Sequence, residues 1–382
     1  MDIEFHYYIT FLIAIAAGFP LNAAYKIAYS SQYVDDNVTE YKVYHTFSSI
    51  NHSWNNQKNK NVPTNHYYKN FITQVYNPML SENIRNYILP IFHFLPGDAK
   101  YAASKRRDGQ VNGLCTTPNS KLAKLVLRKA LSECNVYWIG IASHAFVDTW
   151  AHQGFTGTLD TFNSICPNYC YPLQKNFDDL EVELSDGERG VRDIQVHYDK
   201  IGHIDALGEP DQIGKVWYDY RLKINKIENN KRFLRASKHL FDEYVRFTLR
   251  EPSCPFLTGK IRRKFTLLRT VLLQIFSNAA DSNIGNYAHR LPIYNNASSV
   301  IAGSLILEYN RNAWFNDAVA KCRNYTSLAE NYSKKYFWQN SNYLRDDWYL
   351  FQQAAKLHKN FLYPFIEHRL QQHEVAENFT SS

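Results

Sequence analysis

One segment constrains the fold of this chain more than any other: Val136 to Gln153, an apolar run that carries His144, Asp148 and His152 at i, i+4 and i+8. At 3.6 residues per turn, that spacing places all three on one helical face. The remaining positions include Val136, Ile139, Ile141, Ala142, Phe146, Val147 and Trp150, so the helix is expected to be buried on most sides. Ionisable groups on a buried helix lose hydration and need a compensating partner. A divalent metal satisfies imidazole and carboxylate together, and both are zinc ligands. A hydrogen-bonded His–Asp–His ladder is the competing explanation, but three groups in register favour metal binding.

The rest of the chain reads as helix too. Helical periodicity covers Phe5–Gly18, Asn22–Tyr33, Glu82–Phe94, a stretch from a Ser120 cap to Leu131, and Lys231–Arg250, Lys260–Ala280, Ser298–Asn310, Ala313–Asn331 and Leu344–Leu370. Residues 51–65 read as a polar loop closed by Pro63, and residues 163–211 as a long irregular excursion. No alternating run is long enough to require a large sheet, so the expected fold is all-α with little or no sheet around a central buried helix. The expected division is a metal-site helical domain over residues 1–224 and a helical extension over 225–382 packed on it, since no Gly/Ser/Pro linker separates them. The 28 Tyr and 23 Phe imply an aromatic core with many hydroxyl tips that need partners.

The N-terminal apolar run from Tyr7 to Pro20 is too short to span a bilayer, and Asp2 and Glu4 precede it where a signal peptide would carry basic residues. A cytoplasmic protein is expected, with delivery to another cell by a non-classical route as the alternative. The six cysteines are too sparse for a disulfide scaffold, and the Cys166/Cys170 pair has the wrong spacing for a redox motif. Charge is uneven. Arg221 to Arg269 holds fourteen Lys or Arg against four Asp or Glu, a local +10 in a chain of net +7, so the remainder sums to −3. Such a stretch is either a solvated helix face or a surface for anionic lipid or nucleic acid.

Further metal-competent residues lie elsewhere. Asp2 and His6 are one turn apart, Asp35 ends the second helical segment, His93 sits between Phe92 and Phe94, and His203 precedes Asp205, Glu209 and Asp211. The runs DIEFHYY (2–8), YSSQYVDDN (29–37), FHFLPGD (92–98), GIASHAFVDTWAHQGF (140–155) and the IGH at 201–203 resemble the landmarks of a bacterial family of unknown function. They also show a more distant likeness to the zinc-dependent phospholipase C and single-strand nuclease superfamily. That superfamily is all-helical and holds a zinc cluster with ligands in the order His, Asp, His, His-x3-Asp, His, His and an acid. The likeness implies a ligand set of His6, Asp35, His93, His144, Asp148, His152, His203 and then Asp205, Glu209 or Asp211, with Asp211 taken as the ligand. In the superfamily the mature N-terminal residue also ligates; here Asp2 is expected to stand in for that amine. Zinc, as one to three ions, is the implied cofactor, with another divalent metal as the alternative.

From these features the expected activity is metal-dependent hydrolysis of a phosphoester, phospholipid before nucleic acid, with Asp35 handling the attacking water. No serine elbow, P-loop or dinucleotide motif competes. The alternative is a non-catalytic, metal-stabilised helical interaction protein. The Arg221–Arg269 stretch is expected to steer an anionic substrate or membrane to the site, through helix residues such as Arg262, Arg263 and Lys264.

Overall fold

The computed structural model describes residues 1–47, 62–75, 82–165, 200–250, 258–278, 287–321, 336–339 and 341–380. Cys166 and Cys170, and most of the excursion over 163–211, lie outside them, as do residues 322–331 of the expected Ala313–Asn331 helix. Eleven α-helices are found among the described residues: α1 (Thr10–Ala16), α2 (Leu21–Asp36), α3 (Glu82–Phe92), α4 (Ala99–Lys105), α5 (Lys121–Ser132), α6 (Val136–Ala151), α7 (Asn229–Arg250), α8 (Thr258–Asn278), α9 (Leu291–Ala302), α10 (Ala313–Ala318) and α11 (Asp347–Thr380). The chain is predominantly helical.

Helix α6 runs through the core, with α2, α5, α7 and α11 packed around it. Asn135 caps it by accepting from the Tyr137 and Trp138 amides, both at 3.1 Å. Gly140 allows α2 to approach closely. A Cβ there would lie 2.3 Å from the Ile27 carbonyl oxygen and 2.5 Å from Ser30 Cβ. Ser120 caps α5 through Ala123 N, as its position in the sequence indicates.

A single apolar cluster links Phe5, Leu12, Ile27 and Phe146 to Phe233, Leu240, Leu272, Trp348 and Leu362, so residues on both sides of position 224 share one core. The tyrosine tips find partners as expected. The Tyr7 hydroxyl donates to Leu307 O (2.9 Å) and the Tyr29 hydroxyl to Asn310 O (2.7 Å).

The small strands lie at the periphery. β1 (Lys42–Phe47), β2 (Val62–Lys69), β5 (Val319–Lys321) and β6 (Tyr336–Trp338) form a four-stranded sheet in the order β2-β1-β6-β5, and β3 (Val216–Tyr218) pairs with β4 (Lys226–Glu228) as a hairpin. Pro63, read as a loop terminator, instead lies in β2 opposite Thr46. β2 is an edge strand, where the missing N–H of proline costs no ladder bond on the open side. No described helix is long and apolar enough to cross a membrane.

Candidate metal centre

Five elements converge on the Asp148 carboxylate. A π-helical turn, Glu4–Ile9, carries His6 and leads into α1. Asp35 comes from the end of α2, His93 follows α3, and His144 and Asp148 lie on α6. His152 stands just past the end of α6, its amide still bonded to Asp148 O (2.8 Å). His203 and Asp211 belong to the turn preceding β3.

Four of the five imidazoles are pinned in the same way. One ring nitrogen of each meets a backbone carbonyl: His144 Nδ1 at Ser31 O (2.8 Å), His93 Nε2 at Thr73 O (3.0 Å), His152 Nδ1 at the carbonyl of His93 (2.8 Å) and His203 Nδ1 at Leu207 O (2.9 Å). A carbonyl only accepts, so that nitrogen carries the proton, and in the neutral ring the other nitrogen presents a lone pair. Those lone pairs face one another and the carboxylates. His144 Nε2 lies 3.0 Å from His93 Nδ1 and 3.1 Å from Asp148 Oδ2. His152 Nε2 is 2.9 Å from Asp211 Oδ1, and His203 Nε2 is 3.0 Å from Asp211 Oδ2. Lone pair against lone pair is repulsive unless a cation lies between them, and backbone-anchored imidazoles are the usual support of a metal ligand.

His6 adds a second sign. Both of its ring nitrogens are buried without a hydrogen bond, and its ring stacks on His144 at 3.8 Å between centroids. Its Nε2 lies 3.1 Å from Asp148 Oδ1 without hydrogen-bond geometry. An orphaned buried donor costs about 1–3 kcal/mol, a cost that metal ligation removes. Among the described residues, three groups have ligand atoms within 4.8 Å of one another and can hold a metal ion: His6, His144 and Asp148; Asp35, His93 and His144; and His152, His203 and Asp211.

The metal-free electrostatics show the same strain. Burial opposes ionisation of Asp148, but the Met1 ammonium and the surrounding imidazoles outweigh it and hold the carboxyl well below its ordinary value. Asp35 shifts the other way, raised by burial and by the Asp148 charge. Burial also holds His144 down at about 4, against the pull of Asp148. Met1, Asp35, His93, Asp148, His152, His203 and Asp211 line a cavity of about 650 Å³ whose wall also includes Gln32, Asp36, Leu89, Phe94, Ile201 and Tyr287. About a fifth of the Asp35 and Asp211 side chains remains exposed, so the cluster reaches solvent. No Lys or Arg is found among the described residues lining the cavity.

Residues 1–366 match the model of a family of unknown function, DUF6765. The chain belongs to that family. No curated protein and no solved structure matches it.

Of the residues singled out from the sequence, His6, Asp35, His93, His144, Asp148, His152, His203 and Asp211 are brought together. Asp2 is not among them, and its expected role is corrected. Its carboxylate accepts from the Glu4 amide (3.1 Å) and the Phe5 amide (3.3 Å), capping the first turn. The amino group of Met1 pairs with the cluster's carboxylates, 2.5 Å from Asp148 Oδ1 and 3.1 Å from Asp211 Oδ1. Burial lowers the amine pKa, but the Asp148, Asp211 and Asp35 carboxylates outweigh it and lift the value to about 11. Of the three acids considered after His203, Asp211 is the one that lies beside His152 and His203. Asp205 accepts from Ile165 N (2.8 Å), and Glu209 pairs with Lys215 (3.3 Å).

None of the described residues of the basic stretch lines the cavity. Arg221 is buried against Asp219, and Lys231, Lys238 and Arg246 pair with Glu228, Asp242 and Glu243. Burial lowers Arg232 to about 9. The stretch is therefore not one free basic face. The side chains of Arg262, Arg263 and Lys264 lie outside the described residues. A feature missed in the sequence is the Glu4 carboxylate, which lines the cavity and is held by Arg290 Nε (2.8 Å) and the Tyr294 hydroxyl (2.7 Å), nearly 290 positions away. No local pattern signals such a pair.

Proposed function

We propose that the chain is a zinc-dependent hydrolase of phosphoester substrates, closer to a phospholipase C than to a nuclease. The observation that carries this reading is the set of backbone-anchored imidazoles aiming lone pairs at shared carboxylates beside an open cavity. A site built only for stability is sealed by its ligands, whereas Asp35, Asp211 and His203 keep a solvent-facing edge. Zinc held there supplies Lewis acidity and brings the pKa of water toward neutrality, to about 7. The protein's own residues do the rest. His93, His144, His152 and His203 hold fixed tautomers through their carbonyl partners, and His6 offers an imidazole with no hydrogen-bond partner. Asp148 and Asp211 compensate the bound charge. Asp35, at the solvent-facing edge, orients the attacking water and takes its proton. Among the described residues the cavity wall carries no Lys or Arg, so the Met1 ammonium and a bound cation would be the groups that meet a phosphate. Leu89, Phe94 and Ile201 favour an apolar group next to the phosphoester over a polyanion.

The test is elemental analysis of the purified protein, followed by hydrolysis of bis(p-nitrophenyl) phosphate before and after chelation. The expected result is bound zinc and activity that chelator removes and zinc restores. Bound zinc with no hydrolysis of any phosphoester, and no effect of Asp35→Asn on any reaction, would leave the non-catalytic reading.

A further inference from the structure

We infer that the β3–β4 hairpin and the α4 end beside it form a docking surface for an anionic lipid bilayer. The inference stands on this surface and not on the metal site. Along β3 the side chains alternate. Trp217, Asp219 and Arg221 point inward, while Val216, Tyr218 and Tyr220 are each about half exposed. The two tyrosines run parallel, 6.3 Å between centroids at 19°. Ile224, in the turn that follows, is 81% exposed, the highest of the exposed large hydrophobics among the described residues.

The chain after α4 lies against this hairpin, with Arg107 N bonded to Arg221 O (2.8 Å) and Lys223 N to Lys105 O (2.9 Å). It brings Tyr101, 46% exposed, with the Lys105 ammonium 5.0 Å from its ring. Lys100, Lys105, Arg107, Lys223 and Lys226 are all exposed here. Within residues 99–107 and 215–228 the carboxylates are Asp219, buried against Arg221, and Glu228, paired with Lys231 at 2.7 Å. Two exposed carboxylates flank these residues, the Asp98 cap of α4 and Asp108, which pairs with Arg106 (2.6 Å), so the exposed charge is predominantly basic.

Lysines and arginines around tyrosines and exposed aliphatics match the headgroup zone of a membrane. There the cations meet lipid phosphate and the aromatic bodies sit at the boundary. A single-stranded nucleic acid would also use the tyrosines and cations, but it has no use for Ile224 or Val216, which have no ring for a base to stack on. The observations favour lipid.

The experiment is co-sedimentation of the full chain at low ionic strength with vesicles of phosphatidylcholine, alone or mixed with phosphatidylserine. Binding is expected only to the mixed vesicles. Ile224→Asp should weaken it about tenfold or more through loss of the inserted side chain. Lys105→Ala with Lys226→Ala should weaken it about 25-fold, at about fivefold per basic residue. Metal content and hydrolysis of a soluble phosphodiester should not change in either variant, which separates this inference from the hydrolase reading. Several results would overturn it: no binding to mixed vesicles, equal binding by wild type and both variants, or binding lost only on reversing Arg262, Arg263 and Lys264. So would a single-stranded oligonucleotide that binds and loses binding in these variants while vesicles do not.

Discussion

Replacing either His144 or His203 by alanine should remove one metal position. The reason is geometric: with Nδ1 held by Ser31 O, His144 offers only Nε2 to the two ligand groups that contain it and so holds one ion, while His203 belongs to the third group. The stability readout follows by mass action. Metal at about a thousandfold its dissociation constant stabilises the folded state by about 4 kcal/mol per site. A chain of 382 residues unfolds with an entropy of about 0.8 kcal/mol/K, from about 2.1 cal/mol/K per residue, so each kcal/mol moves the midpoint by about 1.2 °C. The gap in melting temperature between zinc-loaded and chelated protein should therefore shrink by about 5 °C in each of His144→Ala and His203→Ala. In the chelated state the cost of His144→Ala should be smaller. It orphans the Ser31 carbonyl but relieves the 3.0 Å approach of its Nε2 to His93 Nδ1. Scanning calorimetry of each variant with and without chelator, beside its zinc stoichiometry, is the assay. Full zinc content in His144→Ala, or an unchanged gap, would refute the assignment of His144 as a ligand.

Three other perturbations have expected signs. Arg290→Ala leaves Glu4 buried beside the π-helical turn without its cation, so denaturant titration should show a loss of about 3–5 kcal/mol, with Arg290→Lys in between. Gly140→Ala drives a methyl into the α2 backbone at Ile27 and should cost about 1–3 kcal/mol. It should also lower zinc occupancy, because the same shift moves Asp35 and Ser31 away from His144. His358, buried between Trp138 Nε1 and Ile91 O and lowered from 6.5 to about 3 by burial, is neutral when folded at pH values where the unfolded chain protonates it. Stability should fall on acidification from about pH 6.5 toward 3, by about 1.4 kcal/mol per unit from this group. A His358→Phe variant with the same slope would refute that.

What the sequence made legible was whatever repeats along a single element. The i, i+4, i+8 row on α6 is a local pattern, and so are the Ser120 cap and the apolar period of the flanking helices. The cation requirement, by contrast, depends on which nitrogen of each imidazole is already taken. That is decided by Ser31 O, Thr73 O, His93 O and Leu207 O, backbone atoms with no residue-type signature. The same limit explains Asp2. A carboxylate one turn before a histidine looks like a ligand, but in the first turn of a helix it also lies within reach of free amides, and two of them claim it. The charge of the 221–269 stretch misleads for a related reason. Summed along the chain it is a patch, yet burial beside Asp219 and pairing with Glu228, Asp242 and Glu243 remove much of it. The exposed cations that do gather are Lys223 and Lys226 of that stretch with Lys100, Lys105 and Arg107 from over a hundred positions earlier, joined by the backbone bonds Arg107 N to Arg221 O and Lys223 N to Lys105 O. A basic surface is a property of which side chains remain in water, so its location follows from packing and not from the linear sum.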